Sequence, residues 1–103
     1  MKGTEKQIAW AEKIKKVIID TSNEICNVLT NDPKFDPNNE QHVKMISIYK
    51  SWAELSEAEE QASFFIDTFS LVDANDSLMK RLQTIRTGIN LCAYANKNNW
   101  KCQ

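Results

Sequence analysis

From Thr4 to Leu29 the chain contains no Gly or Pro, and its apolar residues recur every three or four positions. At about 100° per residue, Ile8, Trp10, Ala11, Ile14, Val17, Ile18, Ile25, Val28 and Leu29 gather into one arc. Glu5, Glu12, Lys13, Lys16, Asp20, Asn23, Glu24 and Asn27 fall on the other side. Thr4 and Gln7 have the spacing of a capping box, which predicts a helix over 5–29, roughly 37 Å long. Its apolar arc exceeds half the circumference. No single neighbour covers an arc that wide, so further helices must pack around this one.

The stretch from Thr30 to Asn39 holds both prolines and ends the first helix, because Pro33 biases Asp32 out of the α region. Asp36-Pro37 has the form of a cap followed by proline in the first turn, and Phe35 is expected to anchor the loop. A second helix follows over 38–55, with His42, Met45, Ile46, Ile48, Tyr49, Trp52 and Ala53 on its buried side. Ser56-Glu57-Ala58-Glu59 reads as another capping box opening a third helix over 57–72, where Ala58, Ala62, Phe65, Phe69 and Val72 repeat at helical spacing. The apolar direction reverses at Ser56, so the two segments are separate helices. It reverses again across Asp73-Ala74-Asn75-Asp76, where Asp73 or Asp76 caps a fourth helix over 76–95 with the stripe Leu78, Leu82, Ile85, Ile89 and Cys92. Gly88 lies inside that helix at a cost of about 1 kcal/mol relative to Ala, which implies a neighbour in close approach. The polar tail 97–103 is expected to fray. The resulting expectation is an all-α small four-helix bundle, one domain over 1–103, built on a long N-terminal helix.

Composition supports this and narrows the function. Two glycines and two prolines leave little turn chemistry for a hairpin-rich β fold, and 103 residues suffice to bury somewhat over 60% of the unfolded surface. A formal net charge of −1 gives no overall field toward nucleic acid or anionic lipid. Three cysteines without a Cys-x-x-Cys pair, no leader-like opening and no apolar run of eighteen residues point to a reducing cytoplasm and no membrane span. With His42 the only histidine, no metal set is expected. A cysteine nucleophile would need Cys26 or Cys92 beside His42, although both lie on apolar stripes. Asp32 and Asp36 lack the glycine that turns a calcium loop, and Gly3 and Gly88 stand alone, so no phosphate cradle is present. No catalytic, cofactor or metal residue is assigned.

Charge is unevenly placed. Glu54, Glu57, Glu59, Glu60, Asp67, Asp73 and Asp76 occupy a stretch with no Lys or Arg, and Lys80, Arg81, Arg86, Lys97 and Lys101 follow with no acid. The two stretches either complement each other inside the bundle or present an acidic surface to a basic partner. Phe64 and Leu71 fall away from the Phe65/Phe69 stripe, as do Leu91 and Tyr94 on the last helix, and Trp10 sits at the edge of the first. Such residues either cap the core or form an exposed patch for a partner or a second copy. Trp100 is either a hook onto the bundle or a contact residue.

The opening Gly3-Thr4-Glu5-Lys6-Gln7-Ile8-Ala9-Trp10-Ala11-Glu12-Lys13-Ile14 resembles a short signature at the start of small proteins encoded by phages and mobile elements of Firmicutes: a Ser/Thr-Glu-Lys-Gln cap, then Ile-x-Trp-Ala-Glu-x-Ile. The similarity spans about the first fourteen residues and brings no catalytic residue with it. It implies a genomic setting in which small helical proteins bind host machinery, anti-defence and anti-CRISPR inhibitors among them. The expected function is thus a non-enzymatic interaction protein. Its partner is a protein with a basic surface, met by Glu54, Glu57, Glu59, Glu60, Asp67, Phe64, Leu71 and Trp100. The alternative is a nucleic-acid binder using Lys80, Arg81, Arg86, Lys97 and Lys101.

Overall fold

Thr4 starts the first helix as its sequence requires. Gln7 N–H donates to Thr4 Oγ1 at 3.2 Å and Thr4 N–H to Gln7 Oε1 at 3.0 Å, closing the capping box. A computed structural model describes residues 1–102 and places five helices in them. These are α1 (Glu5–Thr30), α2 (Glu40–Ala58), α3 (Ala62–Phe69), α4 (Leu78–Leu91) and the short α5 (Ala93–Lys97). At about 39 Å, α1 nearly matches the molecule's longest dimension of 45 Å, and it packs against α2, α3 and α4. The fold is an all-α bundle around the N-terminal helix. Among the described residues there is no strand, and no helix is long and apolar enough to cross a membrane.

Ala11, Ile14, Ile18 and Ile25 form the buried side of α1, but two polar residues join them. The Ser22 hydroxyl donates to the Tyr49 carbonyl of α2 at 2.6 Å, and the Thr21 hydroxyl donates to Val17 O at 2.6 Å. Trp10 and Val28 stay about half exposed, so the covered arc is narrower than the apolar one.

Three helices start later than expected, at Glu40, Ala62 and Leu78, the first and third through a local cap and the second through the far end of the chain. The Asp36 carboxylate accepts from Asn38 N–H within the loop, leaving Asn39 to cap α2 by accepting from Gln41 N–H and His42 N–H. Phe35 anchors that loop by stacking on His42, with centroids 5.9 Å apart. The second break falls at 59–61 rather than at Ser56. There the N-terminal strand-like residue Lys2 is held between the helices, its N–H donating to Glu60 O at 2.6 Å and its carbonyl accepting from Ala62 N–H at 2.9 Å. Gly3 makes this approach: its φ is +149°, and an added Cβ would sit 3.0 Å from Ala62 Cβ. Third, Ser77 rather than Asp73 or Asp76 caps α4, its Oγ accepting from Lys80 N–H at 3.2 Å, while Asp73 caps a local turn through Asn75 N–H.

Because α2 runs on to Ala58, Ser56 is not a cap. It is fully buried, and its hydroxyl has no hydrogen-bond partner among the described residues. An unsatisfied buried hydroxyl costs about 1–3 kcal/mol, and Ala also favours a helix interior over Ser. Ser56→Ala is therefore expected to raise stability by about 1 kcal/mol, seen as a gain of about 4–8 °C in melting temperature by circular dichroism. A lower melting temperature would mean that the hydroxyl is bonded after all.

The tail does not fray over 97–102. Cys92, extended at φ −111° and ψ 108°, ends α4 before the expected helix is complete, and α5 restarts at Ala93. Asn99 then takes the left-handed conformation at φ 70°, which Asn tolerates. That turn sends Trp100 back onto the bundle, where it is 2% exposed and packs on Phe64 and Phe69 with centroids 5.5 and 5.3 Å away. Trp52 Nε1 donates to Lys101 O at 2.7 Å, closing the hook.

Candidate protein-docking groove

The residues expected to meet a partner separate into three groups. Phe64 and Trp100 belong to the core: Phe64 is 6% exposed, enclosed by Phe65, Phe69, Tyr94 and Trp100. Sequence periodicity puts Phe64 off the stripe because α3 is covered from two directions, by α1 and by the returning tail. Glu54, Glu57, Glu59 and Glu60 cluster at the end of α2 and the turn after it. Glu57 reaches Lys15 of α1 at 3.3 Å. Glu59 beside the Tyr94 phenol pushes its pKa up by hydrogen bonding, with desolvation adding to the shift. Asp67 and Leu71 lie elsewhere, at the end of α3 and the turn that follows.

The basic set is divided too. Arg81 donates from Nη1 to Thr21 Oγ1 at 2.9 Å, from Nη2 to Glu24 at 2.8 Å and from Nε to Asp76 O at 3.1 Å. Arg86 donates to the Tyr49 hydroxyl, with its guanidinium 5.7 Å from the centre of that ring. Both arginines thus serve to join α4 to α1 and α2. Lys80, Lys97 and Lys101 are the exposed cations of the set. Arg86 and Arg81 being occupied internally, the proposed phosphate-binding helix retains only scattered lysines.

The ion pairs within the described residues are Lys15–Glu57, Lys16–Asp20 and Arg81–Glu24. None of them joins the acidic stretch 54–76 to the basic stretch 77–101. The acids are therefore not the internal complement of the last helices.

Asp67 and Leu71 instead open onto a groove of about 950 Å³ beside α4. One wall is the outer row of α4, including Lys80, Thr84, Thr87 and Leu91. The other is the end of α3 and the turn after it, with Asp67, Leu71, Asp73 and Asp76. The walls meet at Gly88, where a Cβ would lie 2.5 Å from Thr68 O. Leu71 and Leu91 are each 83% exposed, the most exposed large apolar residues of the described chain. Among the described residues, no Lys or Arg lies within 4 Å of the Asp67, Asp73 or Asp76 carboxylates. Leu91, Asp73 and Asp76 were visible in the sequence as an off-stripe leucine and two members of the acidic run, but only the crossing of α3 and α4 makes them neighbours of Leu71.

Other chemistry finds no comparable assembly. His42 Nδ1 accepts from Asp36 N–H at 3.0 Å. Cys26 faces the Ile46 carbonyl, and burial pushes its thiol pKa up, offset in part by Lys50. The Cys92 sulfur accepts from Thr68 Oγ1 and from Ala95 N–H, so neither thiol is paired with the imidazole. The three cysteines are free and each half-buried. Among the described residues, no three His, Cys, Asp or Glu side chains gather as a metal set. The exposed aromatics that could serve a second copy are Trp10 and Tyr94, at 49% and 48%, not Phe64 or Trp100.

Comparison of the chain with protein-family models, with curated proteins and with solved structures finds no match. Its functional reading thus rests on its own residues. Two leucines in water beside three unpaired carboxylates suit a ligand that brings apolar surface and positive charge together.

Proposed function

We propose that this chain is a non-enzymatic interaction protein that binds and modulates a host protein through the α3–α4 groove, acting in the cytoplasm. The observation that carries the reading is the joint exposure of Leu71 and Leu91 in a groove whose Asp67, Asp73 and Asp76 carboxylates meet no Lys or Arg within 4 Å among the described residues. Two exposed leucines facing one groove offer a shared apolar surface of the kind that marks a partner site, and unpaired acids steer a basic partner toward the same place. The opening signature adds a setting: resemblance to small helical proteins of phages and mobile elements supports an anti-defence role, with anti-CRISPR inhibition as one form. The acidic surface proposed for docking is accordingly centred on Asp67 and Leu71, with Glu54 and Glu57 away from it.

The test is co-purification from host cells with a photo-crosslinking residue at position 71. A host protein should be trapped there and not from the same residue at exposed Lys16. Leu91→Lys should abolish capture, whereas Glu57→Lys should leave it intact. Equal crosslinking from both positions, or capture indifferent to Leu91→Lys, would remove the reading. A mobility-shift titration at two salt concentrations examines the nucleic-acid alternative: tight binding that weakens steeply with salt would favour Lys80, Lys97 and Lys101 as its surface.

A further inference from the structure

Resting on that docking reading, we infer that the groove's occupant is an amphipathic α-helix carrying an apolar stripe with Lys or Arg along one flank. Three features of the groove select this shape. Its longer wall is the outer row of α4, a helix of 14 residues and so about 21 Å long. A segment lying along it as a helix needs about fourteen residues, the length over which an i, i+3, i+4, i+7 stripe forms. Secondly, the walls offer side chains rather than free backbone. There is no strand among the described residues, and the single bridge between Lys2 and Gln61 lies outside the groove, so an extended peptide has no edge to pair with.

The third feature is the division of charge. Gly88 keeps the base of the groove low, and Thr84 and Thr87 keep the α4 wall short and uncharged between Lys80 and Leu91, so a helix can settle between Leu71 on one wall and Leu91 on the other. The carboxylates stand on α3 and on the turn that leads into α4, from Asp67 through Asp73 to Asp76, while Lys80, the one cation of the lining, stands in the first turn of α4. A bound helix therefore turns its basic flank toward the 67–76 segment. A cation on its other flank would meet Lys80 and be disfavoured.

The experiment uses the full chain, labelled with ¹⁵N, and three synthetic peptides of eighteen residues. The first has a leucine stripe with lysines on one flank. The second keeps the lysines but replaces each leucine by serine. The third keeps the leucines and replaces the lysines by glutamates. The first should shift the amides of residues 67–76 and 84–92 and become helical on binding. Its affinity should fall at least tenfold in Leu91→Lys and several-fold between 50 and 300 mM salt. The serine and glutamate peptides should bind at least tenfold more weakly. Because Leu71 and Leu91 are solvent-exposed, these variants should keep the parent's circular dichroism spectrum, and Leu71→Ser provides a milder second variant. Shifts confined to other surfaces, equal affinity for the serine peptide, or no binding by the first peptide would overturn the helical occupant. Trapping of a host protein from position 71 would still stand in that case, and so would the docking reading.

Discussion

Trp100→Ala is expected to lower folding stability by about 3–5 kcal/mol, a large share of the roughly 5–15 kcal/mol available to a small domain. The indole is almost wholly buried and lies against Phe64 and Phe69, so its removal leaves a cavity beside both rings. Truncation after Asn99 should cost more still. It removes the Lys101 carbonyl as well, leaving the buried Trp52 indole N–H without its acceptor. Lys101→Ala keeps that carbonyl and should stay within about 0.5 kcal/mol of the parent. Urea unfolding followed by Trp fluorescence and by circular dichroism gives all three values. A loss below about 1 kcal/mol for Trp100→Ala would show that the tail is an accessory and not part of the core.

Gly88→Ala tests the crossing of α3 and α4 through the sign of its effect. On helix propensity alone the change should stabilise by about 1 kcal/mol. In the folded chain the new methyl would come 2.5 Å from Thr68 O and 2.8 Å from Phe69 Cδ1, and the first of these is backbone that cannot rotate aside. Overpacking of this kind costs about 1–3 kcal/mol, so a net loss is expected, and Gly88→Val should lose more. Since the same contact forms the base of the groove, the peptide described above should also bind these variants more weakly. An Ala variant as stable as the parent would mean that the two helices stand further apart than described.

Helix α1 was legible because everything that defines it is local: a cap at Thr4, Gln7 three residues on, and twenty-six residues without a breaker. The stripe of α4 and the close approach at Gly88 were legible for the same reason. The break after α2 was misplaced because its cause is remote. Lys2 inserts at Glu60 and Ala62, and no periodicity in 56–61 reports a contact with the other end of the chain. Trp100 was ambiguous because a short polar tail with one aromatic has no repeat to read. Its burial depends on a left-handed Asn99 and on a hydrogen bond from Trp52. Leu71 and the acids could be singled out individually, whereas their union with Leu91 depends on how two helices cross.

The hydroxyls of Thr21 and Ser22 have a consequence for the uniqueness of the bundle. Aliphatic surfaces tolerate sliding, because one leucine-sized hollow resembles the next. If α1 ratcheted along its partners by one turn, about 5.4 Å, Ser22 would lose the Tyr49 carbonyl and the Arg81 guanidinium would lose Thr21 and Glu24 together. Ser22 and Thr21 are fully buried, so the Ser22 hydroxyl and the Arg81 Nη1 that met Thr21 would be left unpaired there, where a missing partner costs more than the bond itself contributes; Glu24, half exposed, would return to water. These two adjacent side chains act as a detent that holds the central rod at a single setting.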